Sequence, residues 1–572
     1  MLSRIRFALP LLALLSSSIA GAAVFTVGSD GSCTHATLAA ALAAASANGT
    51  GHDEIRLRID AQQNNAAYSI TATDVTIAGG YPTCSSASPV AGVRSTLVGN
   101  QLNSVITIGN SRRVELRQLI VTDGGNLGFV QGSPVIGGGV NLTSGVVELH
   151  GVRVTSNHAR DGGGLAVAGT GSVMVVHGGE SGSLIENNRA MRGGGIFVGM
   201  GATLRLDNDG VTISGNAADG SATEDDNSGG GIYAFGGSGA QATIEATWLN
   251  ADPDLPTRAL RGLVVAGNVS SGWGGGMTLS FNAQFIGYET SIRDNVAKRG
   301  GGIWAQGGAY VGLARRPSAF PGWLPVCEGR YGCNRLTGNV AALGGGILIA
   351  EGRLDLVQIL IADNRATNGG GAAIHTGSAG QPEPVNRILL DSAVLVRNQC
   401  SRTPASTSNC ATLNAISGPN QVDVQHSTFA DNVLGSTNSS IRAEIFAGPS
   451  SLPLRLRSVI VEPAAGSLPV WTNGSLEADC VMSTQSVGNR ALVRAIPYAF
   501  VSRTSDDYRP LDGDAAIDGC DGTQLLSEPS TTPDLRIHGS VDHPAVPNRL
   551  GSASTFDIGA FETTPLLRNG FE

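Results

Sequence analysis

The chain has 572 residues and a formal net charge of −9, with 80 glycines and only 15% charged residues. Because 41% of its residues are hydrophobic, the composition excludes a disordered chain, and the acidic balance argues against electrostatically driven binding to nucleic acid. The glycines do not recur at every third position, which excludes a collagen-like structure.

Residues 1–22 have the pattern of a secretory signal peptide. Arg4 and Arg6 precede an apolar run over residues 7–15, and the tripeptide AGA at residues 20–22 fits the small-residue rule for cleavage. The apolar run is too short to cross a bilayer and no other segment is long enough. We therefore expect an exported protein, extracellular or on the outer cell surface, whose mature chain has no transmembrane segment and a net charge of about −11 once the two arginines are removed from −9.

Eight cysteines, an even number in an exported chain, predict disulfide bonds. None has the C-x-x-C spacing of a zinc or thiol-redox site. Proximity in the sequence favours the pairs Cys33–Cys84, Cys327–Cys333, Cys400–Cys410 and Cys480–Cys520. The sequence alone leaves this connectivity open.

Residues 23–100 are interpreted as an N-terminal cap followed by the first coils of a repeat structure. The alanine- and leucine-rich segment 38–47 predicts a short helix with Thr37 as its N-cap. A strand is predicted over residues 54–59. Such a helix would cover strand edges that a repeat structure otherwise exposes at its end.

Residues 101–460 contain a repeated pattern, visible in "NVAKRGGGIWAQ" from Asn295 and "NVAALGGGILIA" from Asn339. An apolar residue stands three positions before each repeated asparagine, and a glycine triplet and usually an aliphatic residue follow it. The closest copies are 25 to 31 residues apart, a period typical of solenoids. The asparagines are Asn157, Asn188, Asn216, Asn268, Asn295, Asn339 and Asn364, with weaker copies at Asn398 and Asn432.

Short segments of alternating apolar residues between these copies predict strands without intervening helices. We therefore predict an all-β fold, a right-handed parallel β-helix with a short N-terminal capping helix and a C-terminal cap. Each asparagine is expected to take the left-handed conformation at a corner and to form a hydrogen-bonded ladder with its neighbours in adjacent coils. The glycines are expected to permit unusual backbone angles and close approach between coils.

The repeat, an asparagine followed by GG(G/A)(I/L), resembles the repeat of polymorphic outer membrane proteins over about residues 136–435. "FADN" at residues 429–432 fits the F-x-x-N element of that family. The resemblance implies a surface-exposed β-helix, and it does not imply an activity because one fold hosts many functions. A long C-terminal barrel of the autotransporter kind is not expected, so export would need separate machinery.

Residues 461–564 are interpreted as the last coils and a C-terminal cap. "DAAIDGCDG" at 514–522 and "TFDIGAFE" at 555–562 resemble the terminal motif of exported β-helix proteins of the choice-of-anchor type. Asp518, Asp557 and Glu562 are interpreted as cap carboxylates that bind backbone or arginine, with a bound cation as the alternative. The tail at 565–572, "PLLRNGFE", resembles a short C-terminal sorting tag.

No catalytic, cofactor or metal site is predicted. The N-T-D and G-H-G elements of a galacturonan hydrolase are absent, and the histidines show no metal-ligand spacing. Asp294, Asp363 and Asp431, each just before a repeated asparagine, are the candidates for a lyase site, and we interpret them as solvated turn residues.

Two function classes remain at this point. The first is a non-enzymatic, monomeric, adhesin-like protein that binds a glycan or a cell-surface partner, or has a structural role. The second is a polysaccharide lyase or glycoside hydrolase of unknown specificity. A cleft lined by carboxylates and an arginine would favour the enzyme, whereas a flat face would favour binding or structure.

Overall fold

The structure is a computed structural model that describes the greater part of the chain. The described residues are 21–49, 51–61, 63–125, 135–178, 181–207, 210–219, 227–237, 239–247, 262–314, 334–377, 386–402, 409–416, 419–435, 441–448, 452–485, 493–495, 499–503, 507–510, 520–521 and 555–556. The signal-peptide pattern before residue 21 lies outside them.

Parallel strands, numbered in chain order, stack coil upon coil and form three faces. Sheet 1 contains β1 (Val24–Val27), β2 (Asp53–Arg58), β5 (Val75–Tyr81), β8 (Ser111–Arg117), β11 (Gly145–His150), β15 (Val173–His177), β19 (Thr203–Asp207), β23 (Thr243–Thr247), β27 (Gln284–Tyr288), β29 (Ile303–Ala314), β32 (Ile347–Ala362), β35 (Asn386–Val396), β38 (Asn420–Gln425), β42 (Leu454–Val461) and β44 (Leu476–Ser483).

Sheets 2 and 3 are built in the same way, and the longest strands of sheet 1 continue into them. Sheet 2 contains β3 (Gln63–Ala66), β6 (Ser95–Gly99), β9 (Leu119–Thr122), β12 (Arg153–Thr155), β16 (Ser183–Glu186), β20 (Val211–Ser214), β24 (Leu263–Ala266), β28 (Thr290–Arg293), β30 (Asn334–Thr337), β39 (Thr428–Ala430) and β45 (Val493–Ala495). Sheet 3 contains β4 (Tyr68–Thr71), β7 (Ile106–Gly109), β10 (Val140–Leu142), β14 (Leu165–Val167), β18 (Ile196–Val198), β22 (Ile232–Phe235), β26 (Met277–Ser280), β34 (Gly370–Thr376), β37 (Cys410–Ala415), β41 (Arg442–Ala447) and β43 (Leu468–Thr472).

Shorter strands lie at one corner and near the C-terminus. The corner strands are β13 (His158–Asp161), β17 (Arg189–Arg192), β21 (Ala217–Ala218), β25 (Val269–Ser270), β31 (Val340–Ala341), β33 (Arg365–Ala366), β36 (Gln399–Cys400) and β40 (Val433–Leu434). Two antiparallel pairs follow: β46 (Phe500–Ser502) with β47 (Asp507–Pro510), and β48 (Cys520–Asp521) with β49 (Thr555–Phe556). The second pair joins the two C-terminal motifs.

This arrangement confirms the predicted parallel β-helix. A continuous hydrophobic core runs along its inside, because alternate residues of each strand point inward. The predicted capping helix is also confirmed as α1, Leu38–Ala47, with the Thr37 hydroxyl accepting a hydrogen bond from the Ala40 amide at 3.2 Å. Its buried residues Leu38 and Ala41 pack on the N-terminal end of the core.

The repeated asparagines are fully or almost fully buried and form one hydrogen-bonded ladder. From Asn157 to Asn432, each side-chain Nδ2 donates to Oδ1 of the asparagine in the next coil at 2.9 to 3.2 Å. At the C-terminal end Glu444 takes the next place and accepts from Asn432 at 3.1 Å and from the Thr412 hydroxyl at 2.6 Å. Burial raises the pKa of Glu444 to about 7, although these hydrogen bonds oppose it.

The prediction that the asparagine itself takes the left-handed conformation is wrong, because the residue before it does. Asn, Asp and Gly are the types that tolerate this region best, and they hold most of these positions. The positive φ angles, between 53° and 66°, belong to Ser156, Asn187, Gly215, Gly267, Asp294, Gly338, Asp363, Arg397 and Asp431. The ladder asparagine instead uses its side chain to form hydrogen bonds with backbone groups of the neighbouring coils.

Two predicted disulfides are present, Cys33–Cys84 and Cys400–Cys410, with Cα–Cα distances of 5.2 and 5.6 Å. The first ties the segment between β1 and α1 to the segment after β5. The pairs Cys327–Cys333 and Cys480–Cys520 involve side chains outside the described part of the chain.

Candidate functional site

A cleft of about 700 Å³ lies on the outer face of sheet 1, near the N-terminal end of the β-helix. Its floor comes from β2, β5, β8 and β11, whose apolar residues, such as Ile55 and Leu116, point into the core. The residues between them therefore point outward. The polar side chains that line the cleft are His52, Glu54, Thr76, Glu115, Arg117, Gln118, His150 and Ser181, and Tyr81 lies among them.

The strand register places like residues in columns, one coil about 4.8 Å above the next. One column runs Glu54, Thr76, Glu115 and Glu148. The neighbouring column runs Arg56, Ala78, Arg117, His150 and His177. An acidic column thus lies beside a basic one across this part of the face.

One wall of the cleft is the loop of residues 82–94 between β5 and β6, from which Pro89 lines the cleft. Arg94 holds the end of this loop against two later coils, because its guanidinium donates to the carbonyls of Gly151 at 2.7 Å and Gly182 at 2.9 Å. The disulfide at Cys84 fixes the other end of the loop. The wall is therefore tied down at both ends.

Glu54 is an ionised acceptor at neutral pH. Arg56 Nη2 lies 2.9 Å from Glu54 Oε2, and the Tyr81 hydroxyl donates to Oε1 at 3.1 Å. Burial raises the pKa of Glu54, but the hydrogen bonds from Arg56 and Tyr81 outweigh it, so the pKa lies below its usual value.

Glu115 is held in the same way by two arginines. Arg113 Nη2 lies 2.6 Å from Oε1, and the Arg117 guanidinium donates to Oε2, with Nε at 2.8 Å. Burial again raises the pKa of the carboxyl, and the hydrogen bond and charge of Arg117 together with the charge of Arg113 lower it by more. Both cleft carboxylates are therefore negative at neutral pH.

Glu148, His150 and His177 form a compact cluster at the end of the cleft, with their ligand atoms within 4.8 Å of one another. The two imidazole rings are stacked, 4.3 Å apart and 7° from parallel. Glu148 Oε2 lies 3.4 Å from His150 Nε2 and 3.7 Å from His177 Nε2. Burial, then the charges of His177 and Arg117, lower the pKa of His150 to about 4, so its ring is neutral at pH 7.

The sequence prediction of no metal-ligand spacing overlooked this cluster, because it considered spacing within one segment. His150 and His177 lie one coil apart along the chain, and the register sets them side by side. A signal was present: the triplets E-I-R at 54–56, E-L-R at 115–117 and E-L-H at 148–150 recur at the same phase of the coil.

The predicted lyase candidates do not line the cleft. Asp294, Asp363 and Asp431 lie at the corner, where Asp294 pairs with Arg293 at 2.9 Å and Asp363 with Arg397 at 2.9 Å. Asp431 pairs with Arg503 and accepts from the Tyr508 hydroxyl at 2.7 Å. Their position at the corner explains why aspartate recurs there, because these residues take the left-handed conformation of the turn.

Asp518, Asp557 and Glu562 lie outside the described residues. In the described part of the chain, no helix is long and apolar enough to cross a membrane. Comparison of the chain with known protein families, with curated proteins and with solved structures finds no significant match. The proposals below therefore depend on the geometry of the chain itself.

Proposed function

We propose that the protein is an exported, non-enzymatic, adhesin-like β-helix whose cleft on sheet 1 binds a glycan. The observation that carries the proposal is the pairing of an acidic column with a basic column on the cleft floor. Ionised carboxylates accept hydrogen bonds from sugar hydroxyls. Guanidinium groups donate hydrogen bonds to the oxygens of those hydroxyls. Because the glutamate–arginine pair of Glu54 and Arg56 recurs two coils later as Glu115 and Arg117, a ligand built of repeating hydroxyl-bearing units can make the same contacts more than once.

Binding is favoured over glycoside hydrolysis by the state of the carboxylates. A hydrolase needs one carboxyl that stays protonated long enough to act as an acid, and burial usually raises its pKa. Glu54 and Glu115 have lowered pKa values because arginines hold them. The cleft therefore contains the carboxylates and the arginine that were expected of an enzyme. Their ion pairs with arginines, however, keep both carboxylates ionised, so that they act as hydrogen-bond acceptors.

The extracellular or outer-surface location belongs to the same proposal. It is supported by the signal-peptide pattern, by the resemblance to polymorphic outer membrane protein repeats, and by two disulfides, which persist in oxidising compartments. We propose that the protein acts there as a monomer.

The test is binding of the mature chain to a panel of immobilised glycans. For the glycan retained, Arg117→Gln and Glu54→Gln are each expected to weaken binding about 10- to 100-fold, because each removes charged hydrogen bonds. The matched control is Arg353→Gln. Arg353 pairs with Asp355 and lies over the Tyr310 ring at 5.5 Å, as Arg56 does with Glu54 and Tyr81 at 5.3 Å, but it does not line the cleft.

The same panel is assayed for reducing ends and for unsaturated products. Unchanged binding in both cleft variants would refute the proposed site. Turnover of any glycan would contradict the binding function and support the carbohydrate-active enzyme. The neutral imidazole of His150 would then be the first group to mutate.

A further inference from the structure

We infer that Glu148, His150 and His177 form a binding site for a divalent transition-metal cation of the zinc type. Two imidazole nitrogens with one carboxylate oxygen are a donor set that Zn²⁺ accepts, whereas Ca²⁺ and Mg²⁺ require oxygen ligands. This inference goes beyond the proposed glycan binding: of the three donors only His150 lines the cleft, and metal binding is measured without a glycan.

The separations between the donor atoms suit one ion. Ligands about 2.0–2.1 Å from a tetrahedral zinc lie about 3.3 Å from each other, and Glu148 Oε2 is 3.4 and 3.7 Å from the two imidazole nitrogens. The stacked rings need to tilt toward each other for their lone pairs to meet at one point. His150 is partly exposed, with 27% of its side chain accessible, which leaves room for this movement.

His150 supplies a second, independent observation. Its Nε2 is buried and has no hydrogen-bond partner, although it faces a carboxylate oxygen. A buried polar atom without a partner is unfavourable, and a bound cation would remove this penalty.

The neighbouring residues orient the other two donors. Asp207 Oδ2 lies 3.4 Å from His177 Nδ1, so a hydrogen bond there directs Nε2 toward Glu148. Such carboxylate–histidine pairs orient metal ligands in many zinc sites. Arg113 Nε lies 3.3 Å from Glu148 Oε1, which leaves Oε2 on the side of the two imidazoles.

The experiment uses the mature chain, without a histidine tag, after removal of metal by a chelator. Zn²⁺ is titrated by calorimetry, and Co²⁺ is added to follow its visible absorption. We expect one equivalent of each to bind. His150→Ala and His177→Ala should abolish binding, and Asp207→Asn should weaken it about 10- to 100-fold without changing the stoichiometry.

The matched control is His426→Ala, because His426 Nδ1 also lies 3.2 Å from a carboxylate, that of Asp391, without forming the cluster. This variant should keep full binding. If His150→Ala or His177→Ala is unstable, Glu148→Gln is measured instead, and it should lower Zn²⁺ affinity and change the Co²⁺ spectrum. Absence of Zn²⁺ binding, or one equivalent retained in all three cluster variants, would overturn the inference.

A different observation supports a second inference, which rests on the proposed export. We propose that signal-peptide removal creates an ion pair between the new N-terminus at Ala23 and Asp53. Asp53 is fully buried. Its Oδ1 accepts from the Ala23 amide nitrogen at 2.7 Å and from Asn48 Nδ2 at 2.8 Å, and its Oδ2 has no partner among the described residues.

Ala23 is both the residue that follows the predicted cleavage site and the residue whose amide nitrogen contacts the buried carboxylate. The AGA rule places cleavage after Ala22. Hydrolysis of the Ala22–Ala23 bond by an export peptidase consumes one water and leaves an α-ammonium on Ala23, which carries three donors in place of one. The ammonium would stand against a carboxylate that is buried without a cationic partner in the described part of the chain, and a buried charge is stabilised when it is paired.

The test compares two chains, one that begins at Ala23 and one that begins at Ala22, with and without Asp53→Asn. The Ala23 chain should have the higher thermal midpoint, and Asp53→Asn should remove this difference. If Asp53→Asn does not fold, N-acetylation of the Ala23 chain should lower its midpoint to that of the Ala22 chain. Equal midpoints, or a secreted protein whose sequenced N-terminus is not Ala23, would refute the ion pair without affecting the glycan test.

Discussion

Replacing Asn295 by alanine is expected to lower the free energy of unfolding by about 3–5 kcal/mol. Asn295 is fully buried. Its Oδ1 accepts from the Asn268 amide at 2.9 Å and from Asn268 Nδ2 at 3.0 Å, and its Nδ2 donates to the Val265 carbonyl and to Asn339 Oδ1, both at 3.0 Å. Alanine would remove a hydrogen-bond partner from four buried polar groups in two neighbouring coils, where water cannot replace it.

Denaturant unfolding of the mature chain, with the midpoint and slope both recorded, measures this effect. Asn103→Ala is the control, since Asn103 is exposed, and it should change the free energy of unfolding by no more than about 0.5 kcal/mol. Asn295→Asp is expected to be at least as damaging as Asn295→Ala, because it puts a charge into the ladder and removes the donor to Val265. Similar stability in Asn295→Ala and Asn103→Ala would mean that the ladder does not hold the coils together.

The overall fold was predictable because its determinants are local and periodic. An asparagine and a glycine triplet recur in each coil, and alternation within each strand shows which residues point inward. The helix at 38–47 was predictable for the same reason, from an N-cap threonine before a run of good helix formers. What the pattern did not show was which corner residue is left-handed. Asn187 and Asp294 both have a positive φ and stand just before a ladder asparagine. This position therefore accepts residues that tolerate the left-handed conformation.

The cleft was not predictable in the same way, because it depends on the register between coils of different length. Glu54 and Glu115 stand in one column although they lie two coils apart along the chain, with Thr76 of the intervening coil between them. A conventional motif search examines one segment at a time, and the residues of this site come from four strands. The recurring E-(I/L)-(R/H) triplet shows that aligning the coils by phase would have found the columns.

Replacing Gly301 by alanine is expected to have an effect as large as loss of the ladder asparagine, for a steric reason. Gly301 is the middle glycine of its triplet and does not have a positive φ, so backbone strain at that residue is not the cause. A Cβ there would meet the carbonyl oxygen of Gly345 and, at 2.7 Å, the amide nitrogen of Val340, both in the next coil. Because these are backbone atoms inside a hydrogen-bonded stack, neither can move without disturbing the coil above.

We expect Gly301→Ala to cost at least about 3 kcal/mol of stability or to abolish soluble expression. The matched control is Gly31→Ala, since a Cβ at Gly31 has nothing within 4 Å and Gly31 has no positive φ; it should be neutral or slightly stabilising. Thermal and denaturant unfolding of the two variants separates the close packing of coils from the general effect of a glycine substitution. Equal stability would show that neighbouring coils can separate by the distance that a methyl group needs. The glycine triplets would then be required only for the left-handed first residue, Gly300, whose φ is 63°.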